Sequence, residues 1–393
     1  MTGRLLYSQM LRAFAANAVL LYHISFVEKK YTDIPQIYEK FYEFGAFGYD
    51  IFFVLSGLIM YMNNNNTSSR KFLFDRVTRI YPAYWFYTSL IVPIFIFYPA
   101  AINSSLSETP DLWRTYLLFP DFTHPLLIVG WTLVLEMYFY LVFALALASR
   151  VRMEWAVTAW GAVVIVGAAA FGASITEPFQ PVLHTILHPL ALEFIAGVLI
   201  GSLIQSGRVK YASWVMVAAL GWMVAVVAVV PNAHALEGAM RVALVLPAAG
   251  MIVYGLAVLD VRARSAPPRW LVRLGDASYS TYLCQILVIS ALGRLYFRFP
   301  PPDWVPLDIV RVALVLTCLV VTNVVGLVSY RCIERPTMRL ARQLRPQYLR
   351  IVNSVIRRQP SPAATPPSPT ICEPWAATAC HSTSSIRRAA PPR

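Results

Sequence analysis

The sequence predicts an all-α, polytopic integral membrane bundle of about ten transmembrane helices, and three observations predict it. Hydrophobic residues make up 58% of the chain and charged residues 13%, with a mean hydropathy of +0.56. Apolar stretches near the 20-residue length that spans about 30 Å of hydrocarbon recur ten times. The basic residues alternate along the chain, dense in one connecting segment and sparse in the next, the asymmetry that orients membrane helices. The spans read as helices because a lone segment in lipid must satisfy its own backbone hydrogen bonds, and the period-two pattern of a barrel strand is absent.

The first span, about residues 10–27, carries Arg12 and His23. The small residues Ala13 to Ala18 lie at the start of its apolar run and not after it, so it is expected to remain as an anchor and not to be cleaved as a signal peptide. The second, about 42–62, holds Asp50 and leads into Asn63 to Asn66 with Thr67, Ser68 and Ser69, a polar joint. The third, about 80–101, follows directly on Arg76 and Arg79, and the fourth, about 127–148, holds Trp131 and Glu136. Spans at about 155–175 and 187–205 come next, with His184 and His188 at the mouth of the latter and Glu193 inside it. The remaining four are about 211–231, 239–259 with Arg241, 277–296 with Tyr282, Gln285 and Arg294, and 307–330. From about Ser354 the chain turns rich in Pro, Ser, Thr and Ala, a composition too poor in apolar surface to fold. Residues 1–345 are therefore expected to form the membrane domain and 346–393 a disordered cytoplasmic tail.

The formal charge of +13 is not a nucleic-acid signature, because its placement follows the positive-inside rule. With the N-terminus in the cytoplasm, about 24 of the 33 basic residues fall inside, five outside and four within spans, which puts both termini in the cytoplasm. Cys284 and Cys318 lie in spans, and Cys332, Cys372 and Cys380 on the reducing side, so the five cysteines form no disulfide framework.

Several ionisable residues within or beside the spans are candidates for chemistry, since a charge in a membrane helix is costly unless paired or facing a wet cavity. Arg12 and His23 are eleven residues apart, close to three turns, and so share a helical face about 16 Å long. Glu136 is expected at a depth similar to that of His23, which permits either a catalytic group of base, carboxylate and guanidinium or a structural ion pair between Arg12 and Glu136. Arg76 and Arg79, three apart, either grip phosphate in a bidentate manner or snorkel at a lipid interface. His184 and His188 have the spacing of helical metal ligands, but Pro189 follows and no third ligand stands near, so no metal is expected. Glu193 either lines the same cavity or pairs with Arg241 or Arg294.

Taken in order, the motifs resemble the membrane-bound acyltransferase family 3. They are Leu11-Arg12-Ala13 with Tyr22-His23, GAFGYDIFFVLSG from Gly45 to Gly57, Arg76-Val77-Thr78-Arg79-Ile80-Tyr81-Pro82, Trp131-Thr132-Leu133 leading to Glu136, LGDASYSTYL from Leu274 to Leu283, and Tyr330-Arg331-Cys332-Ile333-Glu334-Arg335-Pro336. The resemblance covers about residues 5–340 and is greatest to members that modify exopolysaccharides. It implies transfer of acetyl from cytoplasmic acetyl-CoA to a hydroxyl of a cell-envelope sugar, in the bacterial inner membrane. It implies His23, Glu136 and Arg12 as catalytic residues, with Glu136 orienting His23. Arg76 and Arg79 would hold the CoA phosphates, and Asp50, Trp131, Tyr282 and Gln285 would bind substrate. The expected partners are a glycan or lipid-linked sugar acceptor, membrane lipids and polysaccharide-assembly proteins, with no nucleic acid. Gln285 departs from the histidine usual at that place in the family, and can position a substrate but not transfer a proton. No fused hydrolase-like domain is expected, since the outside loops are short. The competing readings are a transporter or flippase of a lipid-linked sugar, and a non-catalytic subunit of a polysaccharide assembly.

Overall fold

A computed structural model describes residues 5–32, 45–64, 67–99, 110–121, 123–149, 151–171, 180–230, 236, 238–262, 265–302 and 304–357. Met1–Gln347 forms one compact unit. Its elements are α1 (Leu6–Thr32), α2 (Gly48–Asn64), α3 (Ser69–Phe97), the short α4 (Leu112–Leu117), α5 (Gly130–Ala148), α6 (Met153–Phe171), α7 (Gln180–Ile186), α8 (Ala191–Gln205), α9 (Ala212–Val229), α10 (Gly238–Arg262), the short α11 (Arg269–Asp276), α12 (Ser278–Arg298) and α13 (Leu307–Ser329), and α14 (Arg335–Arg357) follows a single π turn at Tyr330–Glu334. Among the described residues there is no strand.

Each of the ten expected spans coincides with a helix, and eight stretches are long and apolar enough to cross a membrane. The two that fall short have physical reasons. Helix α2 has 17 residues. Helix α12 carries Ser278, Ser280, Thr281 and Gln285, all at most 1% exposed, so its polar residues face the bundle and its average hydropathy understates its place inside it. Helix α3 begins at Ser69, earlier than expected, which sets Arg76 and Arg79 within a continuous helix and not ahead of one. Helix α14 continues to Arg357, past the expected boundary at 345, because Arg, Leu and Gln are good helix formers. The rest of the expected disordered tail lies outside the described residues.

Close helix contacts are made by small residues, as expected where lipid supplies no hydrophobic driving force between spans. A Cβ on Gly57 of α2 would lie 1.9 Å from the carbonyl oxygen of Phe194 in α8, and one on Gly197 of α8 1.9 Å from the carbonyl oxygen of Val54. Beside this seam Phe53, Phe139, Trp160 and Phe194 stack at centroid separations of 5.3–6.0 Å. Helix α9 instead turns Trp214, Val217, Leu220 and Val224 outward, each more than half exposed, as a lipid-facing helix does.

Two polar clamps fix the helix that carries Arg12 and His23. The Asp260 carboxylate accepts the Tyr7 N–H at 2.6 Å, the Ser8 N–H at 2.9 Å and the Ser8 hydroxyl at 2.6 Å, satisfying the first-turn donors of α1 and complementing its dipole. Further along, Asn323 of α13 donates to the Asn17 side chain at 2.6 Å. Both rotation and depth of α1 are thereby set.

Candidate active site

Five helices converge on a narrow cavity of about 90 Å³. Arg12 enters from α1, Arg76 and Arg79 from α3, Glu136 and Tyr140 from α5, while Ser56 of α2 and Tyr279 of α12 complete the polar wall. The three-residue spacing of the two α3 arginines and the four-residue spacing of Glu136 and Tyr140 put each pair on one helical face, so the local helices alone aim these groups inward. Towards the opposite end the wall becomes aromatic, with Tyr49, Phe52 and Tyr282.

Glu136 accepts a hydrogen bond from the Ser56 hydroxyl at 3.1 Å and a very short one from the Tyr140 hydroxyl. Arg76 lies over the rings of Phe72 and Tyr140, at 5.5 and 5.8 Å from their centroids, and its Nε and Nη1 are buried without a hydrogen-bond partner. Among the described residues no ion pair joins Arg12, Arg76 or Arg79 to a carboxylate, so the structural Arg12–Glu136 pair that the sequence allows is not formed. The remaining acid nearby is Glu334, 2% exposed in the π turn and holding the Ser280 hydroxyl at 2.7 Å. Its charge acts on both Arg79 and Arg12. Three guanidiniums thus face two carboxylates, and unpaired buried N–H groups are costly to leave unsatisfied. Such a cavity has the charge and the free donors to take an anion.

His23 is placed differently from the expectation. It makes neither a hydrogen bond nor an ion pair with Glu136 and does not line the arginine cavity. Glu136 is held by Ser56 and Tyr140 in the midst of the arginines, one consequence of the many residues that separate His23 from Arg12 along α1. The neighbour of His23 is Gln285 of α12. His23 Nδ1 and both polar atoms of the Gln285 amide are buried without a hydrogen-bond partner. One turn back along α12, the Tyr282 hydroxyl bonds to the Thr132 hydroxyl at 2.7 Å and donates to the Val129 carbonyl at 3.1 Å. Tyr282 lines the arginine cavity, so α12 leads from that cavity to His23 within a single turn.

Asp50 lies apart from both. It is fully buried and held by Arg241, whose Nε and Nη2 donate to its two carboxylate oxygens at 3.0 and 2.6 Å, while Nη2 also reaches the Ala46 carbonyl at 2.9 Å. The Arg241 guanidinium lies 4.2 Å from the Tyr49 ring centroid, and Glu193, fully buried, abuts Asp50. Of the alternatives for Glu193 the structure forms none: it does not line the arginine cavity, and among the described residues its two carboxylate oxygens are buried without a hydrogen-bond or ion-pair partner, beside the Asp50–Arg241 pair. Trp131 packs edge-on against Tyr49 at 5.5 Å and 81° and borders a second cavity. His184 and His188 meet edge to face at 5.2 Å, and no three His, Cys, Asp or Glu side chains among the described residues are grouped to hold a metal.

The acyltransferase domain of the acyltransferase 3 family matches residues 5–325. The chain belongs to this family. The acyltransferase is 30% identical over 325 residues to "Exopolysaccharide production protein ExoZ" of Rhizobium meliloti (strain 1021), covering 77% of this chain and 92% of that protein. It is 29% identical over 380 residues to "Acyltransferase MdmB" of Streptomyces mycarofaciens, covering 86% of this chain and 92% of that one. No solved structure matches. The protein is therefore a multi-pass membrane acyltransferase acting on groups other than amino-acyl groups, which decides between the enzyme reading and the transporter or non-catalytic readings.

Sequence reasoning missed Ser56, Tyr140 and Ser278 at this site. The spacing of Tyr140 from Glu136 and the four consecutive hydroxyl-bearing residues of α12 from Ser278 to Thr281 are the signals that point to Tyr140 and Ser278.

Proposed function

We propose that this acyltransferase moves an acetyl group from cytoplasmic acetyl-CoA to a sugar hydroxyl of an envelope glycan or exopolysaccharide, at the bacterial inner membrane, with His23 as general base. The observation that carries this reading is the cavity in which Arg12, Arg76 and Arg79 face one another with no ion-pair partner, Arg76 keeping two buried N–H groups unused. Phosphate oxygens match guanidinium donors in geometry and charge, and the CoA end of the donor supplies them. The pantetheine arm would then run along the aromatic wall of Tyr49, Phe52 and Tyr282 towards His23.

In the transfer His23 takes the proton of the acceptor hydroxyl as its oxygen attacks the thioester carbonyl. The carbon–sulfur bond breaks on collapse of the tetrahedral intermediate, and the departing CoA thiolate recovers the proton from His23. Gln285 stands where it can donate to the developing oxyanion or position the acceptor. Glu136, fixed by Ser56 and Tyr140, contributes negative charge beside the arginine cluster and does not orient the histidine. The name of the Rhizobium relative supports an exopolysaccharide as acceptor, and partners in polysaccharide assembly fit the same reading.

The test is transfer of radiolabel from acetyl-CoA into envelope glycan by membranes bearing the native chain or His23→Ala at matched levels. Label with the native chain alone supports the proposal. Equal label from both would sink the general-base role, and label from neither would sink the donor or acceptor.

A further inference from the structure

A second cavity, of about 320 Å³, lies on the far side of α5 from the arginines. Helix α5 turns Thr132, Leu133 and Glu136 to the arginine cavity but Trp131, Val134 and Leu135 to this one. Trp131 stands nine residues from Tyr140, about 13 Å along the helix, so the second cavity opens at the end of the bundle away from the arginines, the expected outer end. The remaining wall comes from residues 119–121 and 123–125 and from α7, which contributes Gln180 and His184, with His188 just beyond it.

We propose that this cavity is a saccharide subsite, holding an uncharged sugar unit of the acceptor adjacent to the unit that is acylated. The inference rests on the glycan-acceptor reading given above and names where that acceptor is gripped. Three features of the wall carry it. Trp131 and Phe119 supply aromatic surface, which takes up the C–H face of a sugar ring, while Gln180, His184 and Asp121 supply hydrogen-bonding groups for its hydroxyls. The lining holds no lysine or arginine, and the charge of Asp121 is occupied by Arg114 at 2.6 Å, so the site suits a neutral polyol and not the phosphorylated donor. Size is also in the range of ligand sites, which begins at about 300 Å³.

The wall is preorganised. His188 Nδ1 accepts the Leu190 N–H at 3.2 Å, which leaves Nε2 of the neutral ring as the protonated nitrogen. Thr123 donates to Asp121 at 3.2 Å, the Thr115 hydroxyl accepts the Leu126 N–H at 3.2 Å, and Tyr138 of α5 ties down the Ile186 carbonyl at 3.1 Å. Trp131 connects this wall to the reaction path through its edge contact with Tyr49, which lines the arginine cavity.

The experiment fills the cavity without touching the donor site. Gln180 is exposed at its rim, so Gln180→Cys in the full-length, detergent-solubilised chain is treated with biotin-maleimide, with the maleimide-treated native chain as control for the other cysteines. His184→Ala is made separately. The probe is a tritium-labelled oligosaccharide cut from the host's own de-O-acetylated exopolysaccharide, and acetyl-CoA binding is titrated on the same samples. The expected result is binding of the probe by the native chain, weakened at least tenfold by the modification and several-fold by His184→Ala, with acetyl-CoA binding unchanged in each. Equal probe binding by native and modified chains, or no probe binding by a native chain that still transfers acetyl, would overturn the subsite. Absence of acetyl-CoA binding by the native chain strikes the donor reading alone, because the glycan titration is read without it.

Discussion

Gln285 lies within side-chain reach of His23 on the neighbouring helix, and His23 Nδ1 and both polar atoms of the Gln285 amide are buried without a hydrogen bond of ordinary geometry. A satisfied structural histidine spends its ring nitrogens on the protein. This one keeps Nδ1 in reserve, with an amide next to it in the same condition, an arrangement that costs stability in the resting protein and is relieved when a substrate hydroxyl or carbonyl enters.

His23→Ala is therefore expected to lower acyl transfer by about 10²–10⁴, the usual contribution of a positioned base, with the protein still present in the membrane. Gln285→Ala is expected to be milder, about tenfold or less, since an amide only positions groups by hydrogen bonding. Label transfer per amount of immunodetected protein measures both, and a Gln285→Ala chain as inactive as His23→Ala would make the amide an equal partner in the chemistry.

Arg76→Ala removes two unpaired donors from the arginine cavity. A hydrogen bond to a charged group contributes about 1.5–3 kcal/mol, so the KM for acetyl-CoA should rise about 10- to 150-fold while kcat changes little. Initial rates over a range of donor concentrations separate the two parameters. A fall in kcat at constant KM would show that Arg76 acts on the reacting groups and not on donor binding.

Asp50 and Arg241 form a buried bidentate pair outside both cavities. Removing one partner strands the other charge and costs about 3–5 kcal/mol, so Asp50→Ala and Arg241→Ala are each expected to lose folded protein while the surviving molecules keep their KM for either substrate. Replacing both by apolar residues should recover part of the loss. Thermal unfolding in detergent together with kinetics on the soluble fraction reads this out, and a raised acceptor KM at normal stability would restore the substrate-binding role expected for Asp50.

At the α2–α8 seam, Gly57→Ala and Gly197→Ala each drive a methyl to 1.9 Å from a carbonyl oxygen, forcing backbones apart at a cost of about 1–3 kcal/mol or more. Gly221→Ala meets no atom within 4 Å and should be neutral or slightly stabilising, because alanine is the better helix former. Melting temperatures of the three variants make the comparison. Equal melting of all three would show that the seam yields freely.

The membrane helices were legible because hydropathy over 20 residues integrates a large signal; Arg12 and Glu136 stood out because charge within a span is rare, and Arg76 and Arg79 by their three-residue spacing just ahead of one. What sequence could not supply was rotation about each helix axis. Glu136 and His23 were matched by depth counted along separate spans, yet α5 turns Glu136 to the arginines, and the length of α1 between Arg12 and His23 carries the histidine past that cavity to α12. Asp50, which the resemblance gives a substrate-binding role, is bonded to Arg241, a partner 191 residues away that no local pattern announces. The short α7 and the segment before α5 that wall the second cavity carry no periodic pattern at all, and only tertiary packing brings them together.

The inward polarity of α12 bears on how the protein is made. Ser278, Ser280, Thr281 and Gln285 are buried in a bundle in which α1 and α13 pack on α12, and of these Gln285, two turns into the helix, carries an amide that is costly to expose to lipid. Helix α12 on its own is accordingly a poor substrate for the insertion machinery. Packing against the apolar α13 that follows it and against α1 covers that polar face, so the segment that brings Gln285 to His23 depends on its neighbours for its place in the bilayer.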